Sequence, residues 1–201
     1  MSRDFCITSL EYGPPTHSLE HDLKLKHVML DLETLGTRAD SVILSIGAVK
    51  FDPDSGKIDD KAFYASISVD SNTESGRHIS EETLLWWLKQ SAEAQKVFHE
   101  AKSTLPTALD DFSAWFDHDD YQVWSNGADF DIPMLSHAFS THGLETPWKF
   151  WNSRCFRTIK NLPFAKNAVK VENPLKHNSL FDAINQAQQL HEYFKAMKGM
   201  K

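Results

Sequence analysis

Three extended segments in series constrain the fold of this 201-residue chain more than any other feature. Residues 27–31 and 41–51 are short, mainly apolar runs, whereas residues 63–69 alternate apolar and polar side chains. Short apolar runs are typical of buried central strands, and alternation indicates a strand with one buried face. Because residues 52–56 have the Asp, Pro, Ser and Gly composition of a turn, we predict that the three strands form an antiparallel meander.

The remainder of the chain alternates predicted helices with a fourth strand over residues 121–124. Ser80 is a suitable N-cap for the first helix, which is followed by two acidic residues at its positive end. Further helices are predicted over residues 93–101, 107–116, 131–141, 153–163 and 179–198. This order predicts an α/β fold. We expect residues 27–201 to form a single domain and residues 1–26 to be an N-terminal extension, partly irregular.

Composition excludes several classes of protein. No apolar run approaches the roughly 20 residues of a membrane span, and we find no signal peptide at the start. Cys6 and Cys155 form neither a disulfide framework nor a metal-binding spacing, so we expect a cytoplasmic location. The net charge of -7 argues against a broad basic surface for nucleic acid. It does not argue against a site in which bound cations invert the local field.

The end of the first strand carries two acidic residues, Asp31 and Glu33. Side chains alternate along a strand, so both carboxylates point to the same side, about 7 Å apart along the chain. Hard oxygen ligands of this kind favour Mg²⁺ or Mn²⁺ over zinc. Such a pair is also common as two solvated acids at a strand end, and alone it leaves both interpretations open.

A second acidic segment follows the fourth strand, where a turn containing Gly127 leads into a helix. Asp131 falls in the first turn of that helix, and Asp129 is a competing candidate on charge alone. We prefer Asp131 because it follows Phe130, which anchors the turn to the core. An acidic residue at this position can also serve only as a helix cap.

The third segment contains His177 and Asp182 at the start of the last predicted helix. Asn178 or Ser179 would cap that helix, which leaves His177 just outside it. A histidine with an ordinary pKa can accept a proton from an activated water. A single histidine before a helix is also frequently structural or simply exposed.

The three segments together, in this order, resemble the DEDDh exonucleases, the DnaQ-like branch of the RNase H-like superfamily. The spacing of His177 and Asp182 fits the His-type subgroup, since the Tyr-type subgroup has Tyr where this chain has Asn178. A finer resemblance over residues 27–195 points to the phage DexA-like and RNase AS-like branch. It rests on residues 82–91, which contain Trp86-Trp87, and on Arg157-Thr158.

This resemblance implies a fold, a reaction and a set of site residues. The fold is RNase H-like, with a central mixed five-stranded sheet flanked by helices. The reaction is 3′–5′ exonucleolytic hydrolysis of single-stranded DNA or RNA, with release of 5′-mononucleotides, by two divalent ions, Mg²⁺ or Mn²⁺. The implied catalytic residues are the four metal ligands Asp31, Glu33, Asp131 and Asp182 with His177 as general base.

Substrate contacts and partners are also implied. The expected substrate-binding residues are Glu33, Thr34, Leu35, Trp86, Trp87, Phe130 and Arg157. For the two tryptophans, packing in the core is the competing interpretation, since helix neighbours point about 100° apart. The expected partner is a nucleic-acid 3′ end and no membrane, and a homodimer is one of the oligomeric states open to the chain.

Two other functional classes are open from the sequence. One is a catalytically silent module with the same fold that binds a nucleic-acid end or a partner protein. The other is an HD-type phosphohydrolase, suggested by His118 and Asp119. The predicted strands argue against the second class, because the HD fold is all-helical.

Overall fold

The computed structural model describes residues 25–100, 102–127 and 129–199. Nearly all of the predicted N-terminal extension, residues 1–26, lies outside the described residues. Five strands form a single sheet in the order β3-β2-β1-β4-β5. Their bounds are β1 His27–Thr34, β2 Ile43–Phe51, β3 Phe63–Ser66, β4 Gln122–Ser125 and β5 Ser153–Cys155.

The sheet is mixed, with β1 at its centre. Strands β1, β2 and β3 are antiparallel neighbours and form the predicted meander. Strand β4 pairs with β1 in parallel, and β5 pairs with β4 in parallel. The predicted mixed five-stranded sheet of the RNase H-like fold is therefore confirmed.

Six α-helices and three short 3₁₀ segments connect and flank the strands in the described part of the chain. The α-helices are α1 Val69–Glu74, α2 Glu81–Trp87, α3 Leu105–Phe116, α4 Asp131–Thr141, α5 Phe156–Lys160 and α6 Ser179–Lys198. The 3₁₀ segments are Ala94–Phe98, Phe150–Asn152 and Pro163–Asn167. As predicted, Ser80 caps α2, because its hydroxyl accepts a hydrogen bond from the Thr83 backbone.

The two faces of the sheet bury separate apolar clusters, and β1 contributes to both. Val28, Leu30 and Leu32 pack into the cluster that contains α3 and α4. Met29 points to the opposite face, where its cluster is built largely from α6. Because side chains alternate along a strand, Asp31 and Glu33 share the face of Met29 and lie on the side covered by α6.

Three local predictions were wrong in detail. The strand predicted over residues 63–69 ends at Ser66, and Val69 begins helix α1, because the Ser68 hydroxyl caps this helix by accepting a hydrogen bond from the Ser71 backbone. The helix predicted over residues 93–101 is only the 3₁₀ segment given above. The helix predicted over residues 153–163 begins with β5, since Ser153 and Cys155 pair with β4 before α5 starts.

The fold also excludes one of the alternative functions. The mixed sheet is incompatible with an all-helical HD-type phosphohydrolase. His118 and Asp119 lie in an exposed loop, where Lys149 pairs with Asp119 and Asp120. No helix among the described residues is both long enough and apolar enough to cross a membrane.

Candidate active site

Three elements bring the predicted acidic residues together at one edge of the sheet. Asp31 and Glu33 come from the end of β1, Asp131 is the first residue of α4, and Asp182 lies in the first turn of α6. The carboxylates are close enough to repel one another, since the pKa of Asp31 responds to the charges of the other three. The structure therefore brings all four predicted metal ligands into one cluster.

Asp131 is tied directly to the first acidic segment. Its Oδ1 accepts a hydrogen bond of 3.2 Å from the backbone N–H of Leu32, between Asp31 and Glu33. Asp131 is only 3% exposed, whereas the side chain of Asp129 is 85% exposed. Asp131, and not Asp129, is thus the second-segment acid that reaches the site.

Asp182 is held by two hydrogen bonds from the loop before α6. The backbone N–H of His177 donates to Oδ2 at 2.8 Å, and the Asn173 amide donates to Oδ1 at 2.5 Å. His177 adopts a left-handed backbone conformation, with φ of 63°. One side-chain ligand atom from each of Glu33, His177 and Asp182 lies within 4.8 Å of the others. The predicted base therefore stands beside the acids.

Burial raises the pKa of each of the four carboxyl groups, and the charges of neighbouring acids raise the pKa of Asp31 and of Glu33 further. Burial, followed by the charges of Asp182 and Asp131, raises the pKa of Glu33 to about 8. Burial raises the pKa of Asp131 to about 7, against the lowering effect of its hydrogen bonds. Burial also raises the pKa of Asp31 and of Asp182. The site without a cation is thus an unfavourable place for four negative charges.

The donor set fits a hard divalent cation. Four carboxylates supply oxygen ligands of the kind preferred by Mg²⁺ and Mn²⁺, and a bound cation would remove the repulsion that raises their pKa values. Among the described residues no cysteine belongs to the cluster, since Cys155 lies on β5. These observations favour magnesium or manganese over a structural zinc site.

A cavity of about 370 Å³ opens beside the acids. Its lining comes from the end of β1, the following loop, α2 and the start of α4. The lining residues include Glu33, Thr34, Thr37, Ser80, Thr83, Trp86, Trp87 and Phe130. Of the residues predicted to bind substrate, Glu33, Thr34, Trp86, Trp87 and Phe130 therefore share one cavity.

The two tryptophans have different roles in the structure. Trp87 is 1% exposed, and its indole N–H donates to the Thr34 carbonyl at 2.8 Å. Trp86 is 41% exposed and meets the imidazole of His177 edge to face, with ring centroids 5.0 Å apart. Trp87 thus mainly supports the end of β1, and Trp86 presents its ring to both the cavity and the predicted base.

Two of the predicted substrate contacts lie elsewhere. The Leu35 side chain is 2% exposed and packs in an apolar cluster with Val42 and Leu44, away from the cavity. Arg157 donates a hydrogen bond of 2.7 Å to the Asn126 carbonyl and lies 4.0 Å from Asp129. Its position supports the turn that leads to Asp131 and does not place it in the cavity.

Two polar residues that touch the acids were missed by the sequence analysis. Asn173 lies in an irregular segment before α6, and no pattern in the sequence predicted its contact with Asp182. Gln186 donates a hydrogen bond from Nε2 to Oδ1 of Asp31 at 2.8 Å. Gln186 lies four residues after Asp182 on α6, so helical periodicity could have placed it on the same face.

Comparisons with known proteins identify a family and a fold for this chain. Residues 26–194 match the family described as the 3′–5′ exoribonuclease Rv2179c-like domain. No curated protein sequence matches the chain. Among solved structures, E. coli exonuclease I in complex with a dA16 oligonucleotide superimposes with a TM-score of 0.63 at 12% identity. That match covers 87% of this chain and 42% of exonuclease I.

A second solved structure shares the fold. Cell-death related nuclease 4 (CRN-4) gives a TM-score of 0.55 at 11% identity, over 84% of this chain and 63% of CRN-4. The chain thus spans less than two thirds of each of these two relatives. At such low identity the likeness shows the RNase H-like fold.

Proposed function

Because the chain belongs to the 3′–5′ exoribonuclease Rv2179c-like domain family, we propose that it is a metal-dependent enzyme that removes 5′-mononucleotides from the 3′ end of single-stranded nucleic acid. Family membership confirms the predicted resemblance to DEDDh exonucleases and the predicted enzyme class. The two-metal mechanism, the polymer and the roles of individual residues are parts of the proposal.

One observation carries the proposal. Four acidic residues from β1, α4 and α6 lie near enough to one another for their charges to interact. A ring nitrogen of His177 lies within 4.8 Å of carboxylate oxygens of Glu33 and Asp182, and Glu33 also lines the cavity beside α2. The segments that supply these residues are far apart in the sequence, and the fold places them together. A protein that only bound a nucleic-acid end would have no need for a general base next to four mutually repelling carboxylates.

The chain's own residues would hold the cations and handle the proton. We assign Asp31, Glu33, Asp131 and Asp182 as the ligands of two Mg²⁺ or Mn²⁺ ions. When bound, these ions supply charge stabilisation on the phosphoryl group and an acidified water. His177 would accept the proton of the attacking water, and the Trp86 ring would keep its imidazole in place.

The cavity would bind the terminal nucleotide. Glu33 and Thr34 line it at the end of β1, and we assign them to the terminal 3′-hydroxyl group. The exposed ring of Trp86 and the ring of Phe130 are available to stack on a base, an interaction that contributes about 1–3 kcal/mol. Thr37, Ser80 and Thr83 also line the cavity and supply hydroxyl groups that could bond to a sugar.

We take single-stranded RNA as the first candidate substrate, because the family is described as exoribonucleases. Single-stranded DNA is the second, because the structurally similar E. coli exonuclease I was solved with a dA16 oligonucleotide. A homodimer and a cytoplasmic location stay predictions.

The test is a matched set of oligonucleotides. RNA and DNA strands of one sequence, labelled at the 5′ or the 3′ end, are incubated with the protein and Mg²⁺ or Mn²⁺. We expect 5′-labelled strands to shorten one nucleotide at a time and 3′-labelled strands to release a labelled mononucleotide at once. Activity that persists in excess chelator, or strands that stay intact while bound, would contradict the proposal. The second outcome would favour the silent binding module.

A further inference from the structure

Gln186 is a buried polar residue that connects α6 to the acids of β1. It is 8% exposed and lies one helical turn after Asp182. Its Nε2 donates a hydrogen bond of 2.8 Å to Oδ1 of Asp31. Gln186 thus links helix α6, which also carries Asp182, to Asp31 on β1.

The other end of the Gln186 amide has no donor. Oε1 is buried, and no hydrogen-bond donor reaches it from the residues that the structure describes. When Asp31 is ionised, as it must be to bind a cation, this orientation of the amide is the favourable one, because an ionised carboxylate accepts hydrogen bonds and would repel a carbonyl oxygen. A buried acceptor without a partner is unfavourable, so the arrangement requires a compensating role.

Gln189, on the same helix, shows what a purely structural glutamine does here. It is also 8% exposed, but both ends of its amide are satisfied by the backbone of a neighbouring segment. Nε2 donates to the Val169 carbonyl at 2.9 Å, and Oε1 accepts from the Val171 N–H at 2.8 Å. Gln186 differs because its Nε2 donates to Asp31, a proposed metal ligand, whereas its Oε1 meets no donor among the described residues.

We propose that Gln186 is a positioning residue that fixes Asp31 for metal binding. This inference rests on the proposed function. The amide holds one oxygen of Asp31, so that the carboxylate keeps a single orientation. Groups that orient metal ligands in this way typically contribute 10- to 100-fold to metal affinity.

The experiment measures Mn²⁺ binding by isothermal titration calorimetry and unfolding by denaturant, both on the full chain. Gln186→Met is close in size to glutamine and removes both polar ends. Gln186→Asn keeps an amide that is too short to reach Asp31, and it provides a second variant if Gln186→Met does not fold. Gln189→Met is the matched control on the same helix.

We expect both Gln186 variants to bind Mn²⁺ roughly 10- to 100-fold more weakly than the wild type. Gln189→Met, which removes two hydrogen bonds to the backbone, should lower stability and keep wild-type affinity for Mn²⁺. In an Asp31→Asn background, Gln186→Met should have no additional effect on Mn²⁺ binding, because the pair acts as a unit.

Wild-type Mn²⁺ affinity in both Gln186 variants would overturn the inference and leave the proposed function intact. Equal losses of affinity in the Gln186 and Gln189 variants would also overturn it, because the effect would then be one of helix packing. Failure of the wild-type protein itself to bind Mn²⁺ or Mg²⁺ would overturn both this inference and the proposed function.

Discussion

Gly47 lies directly opposite Asp31 in the antiparallel ladder of β1 and β2. A Cβ atom at position 47 would overlap the backbone of Ser179 and Leu180, at the start of α6. The φ of Gly47 lies outside the left-handed region, so the need for glycine here is one of space. The absence of a side chain at this position lets α6 rest on the sheet close to Asp31, which brings Asp182 to the acids of β1.

We therefore expect Gly47→Ala to lift the start of α6 from the sheet. Overpacking of this kind typically costs about 1–3 kcal/mol in the free energy of unfolding. Because Asp182 would move with the helix, exonuclease activity and Mn²⁺ affinity should fall as well. The matched control is Gly199→Ala, where a Cβ meets only ordinary contacts. Denaturant unfolding and initial rates measure both effects, and a wild-type result for Gly47→Ala would contradict the packing argument.

Asp131 and Asp129 form a matched pair for testing the second acidic segment. Asp131→Asn keeps the size of the side chain but removes a charge from the cluster, so we expect activity to fall by at least about 10²-fold. Asp129→Asn should have little effect, because Asp129 is exposed and, among the described residues, its ion pair is a long one of 4.0 Å with Arg157. Initial rates at saturating Mn²⁺ compare the two variants. A larger loss for Asp129→Asn would reverse the assignment.

His177 can be tested without disturbing its backbone. Its left-handed conformation favours asparagine over alanine as a replacement, because asparagine tolerates positive φ. We expect His177→Asn to fold like the wild type and to lose roughly 10²–10⁴-fold in rate. Rates across the pH range in which histidine titrates, together with thermal unfolding, provide the measurement. Unchanged rates over that range would exclude His177 as the general base.

The acids predict how the stability of the metal-free protein depends on pH. The pKa of Glu33 is raised to about 8 and that of Asp131 to about 7. Between the ordinary and the raised values the folded state therefore binds more protons than the unfolded state, so the free energy of unfolding falls as pH rises. We expect the Tm of the metal-free protein to fall from about pH 5 to about pH 8. Adding Mn²⁺ at the upper pH should raise it again.

Glu33→Gln tests the origin of that dependence. Removing one buried charge should raise the Tm of the metal-free protein at the upper pH and reduce the stabilisation by Mn²⁺. Glu93→Gln is the control, because Glu93 is an exposed residue paired with Lys96. A metal-free Tm that does not change with pH in the wild type would show that burial and neighbouring charges do not raise the pKa values of these carboxyl groups as the structure indicates.

The sequence predicted most of the fold and the acidic cluster for physical reasons. The apolar runs of β1 and β2 and the long periodic pattern of α6 are local signals of burial. Glu33 and Asp31 could be placed on one side because strand alternation is fixed by geometry. Strand β5 was mistaken for the start of a helix, because Ser153–Cys155 is short and is held by pairing with β4, a contact invisible in the local sequence.

The contacts that hold the site together could not be predicted in the same way. The hydrogen bond between Gln186 and Asp31 spans 155 residues, and that between Asp131 and Leu32 spans 99. The space at Gly47 is needed only because α6 lies over it. These features depend on tertiary packing, whereas the motifs themselves lie within single elements.

The last prediction separates the two tryptophans of α2. Trp87 is buried and its indole N–H donates to the Thr34 carbonyl, so Trp87→Leu should mainly lower the free energy of unfolding, by up to about 3–5 kcal/mol.

Trp86 is half-exposed, and its ring contacts His177 and lines the cavity. Trp86→Leu should leave stability nearly unchanged, raise KM through lost base stacking of about 1–3 kcal/mol, and lower kcat through the loosened imidazole. Trp86→Phe retains an aromatic ring and should recover part of both losses. Steady-state kinetics and denaturant unfolding of the three variants decide the matter, since equal effects on stability at both positions would mean that Trp86, like Trp87, is only a packing residue.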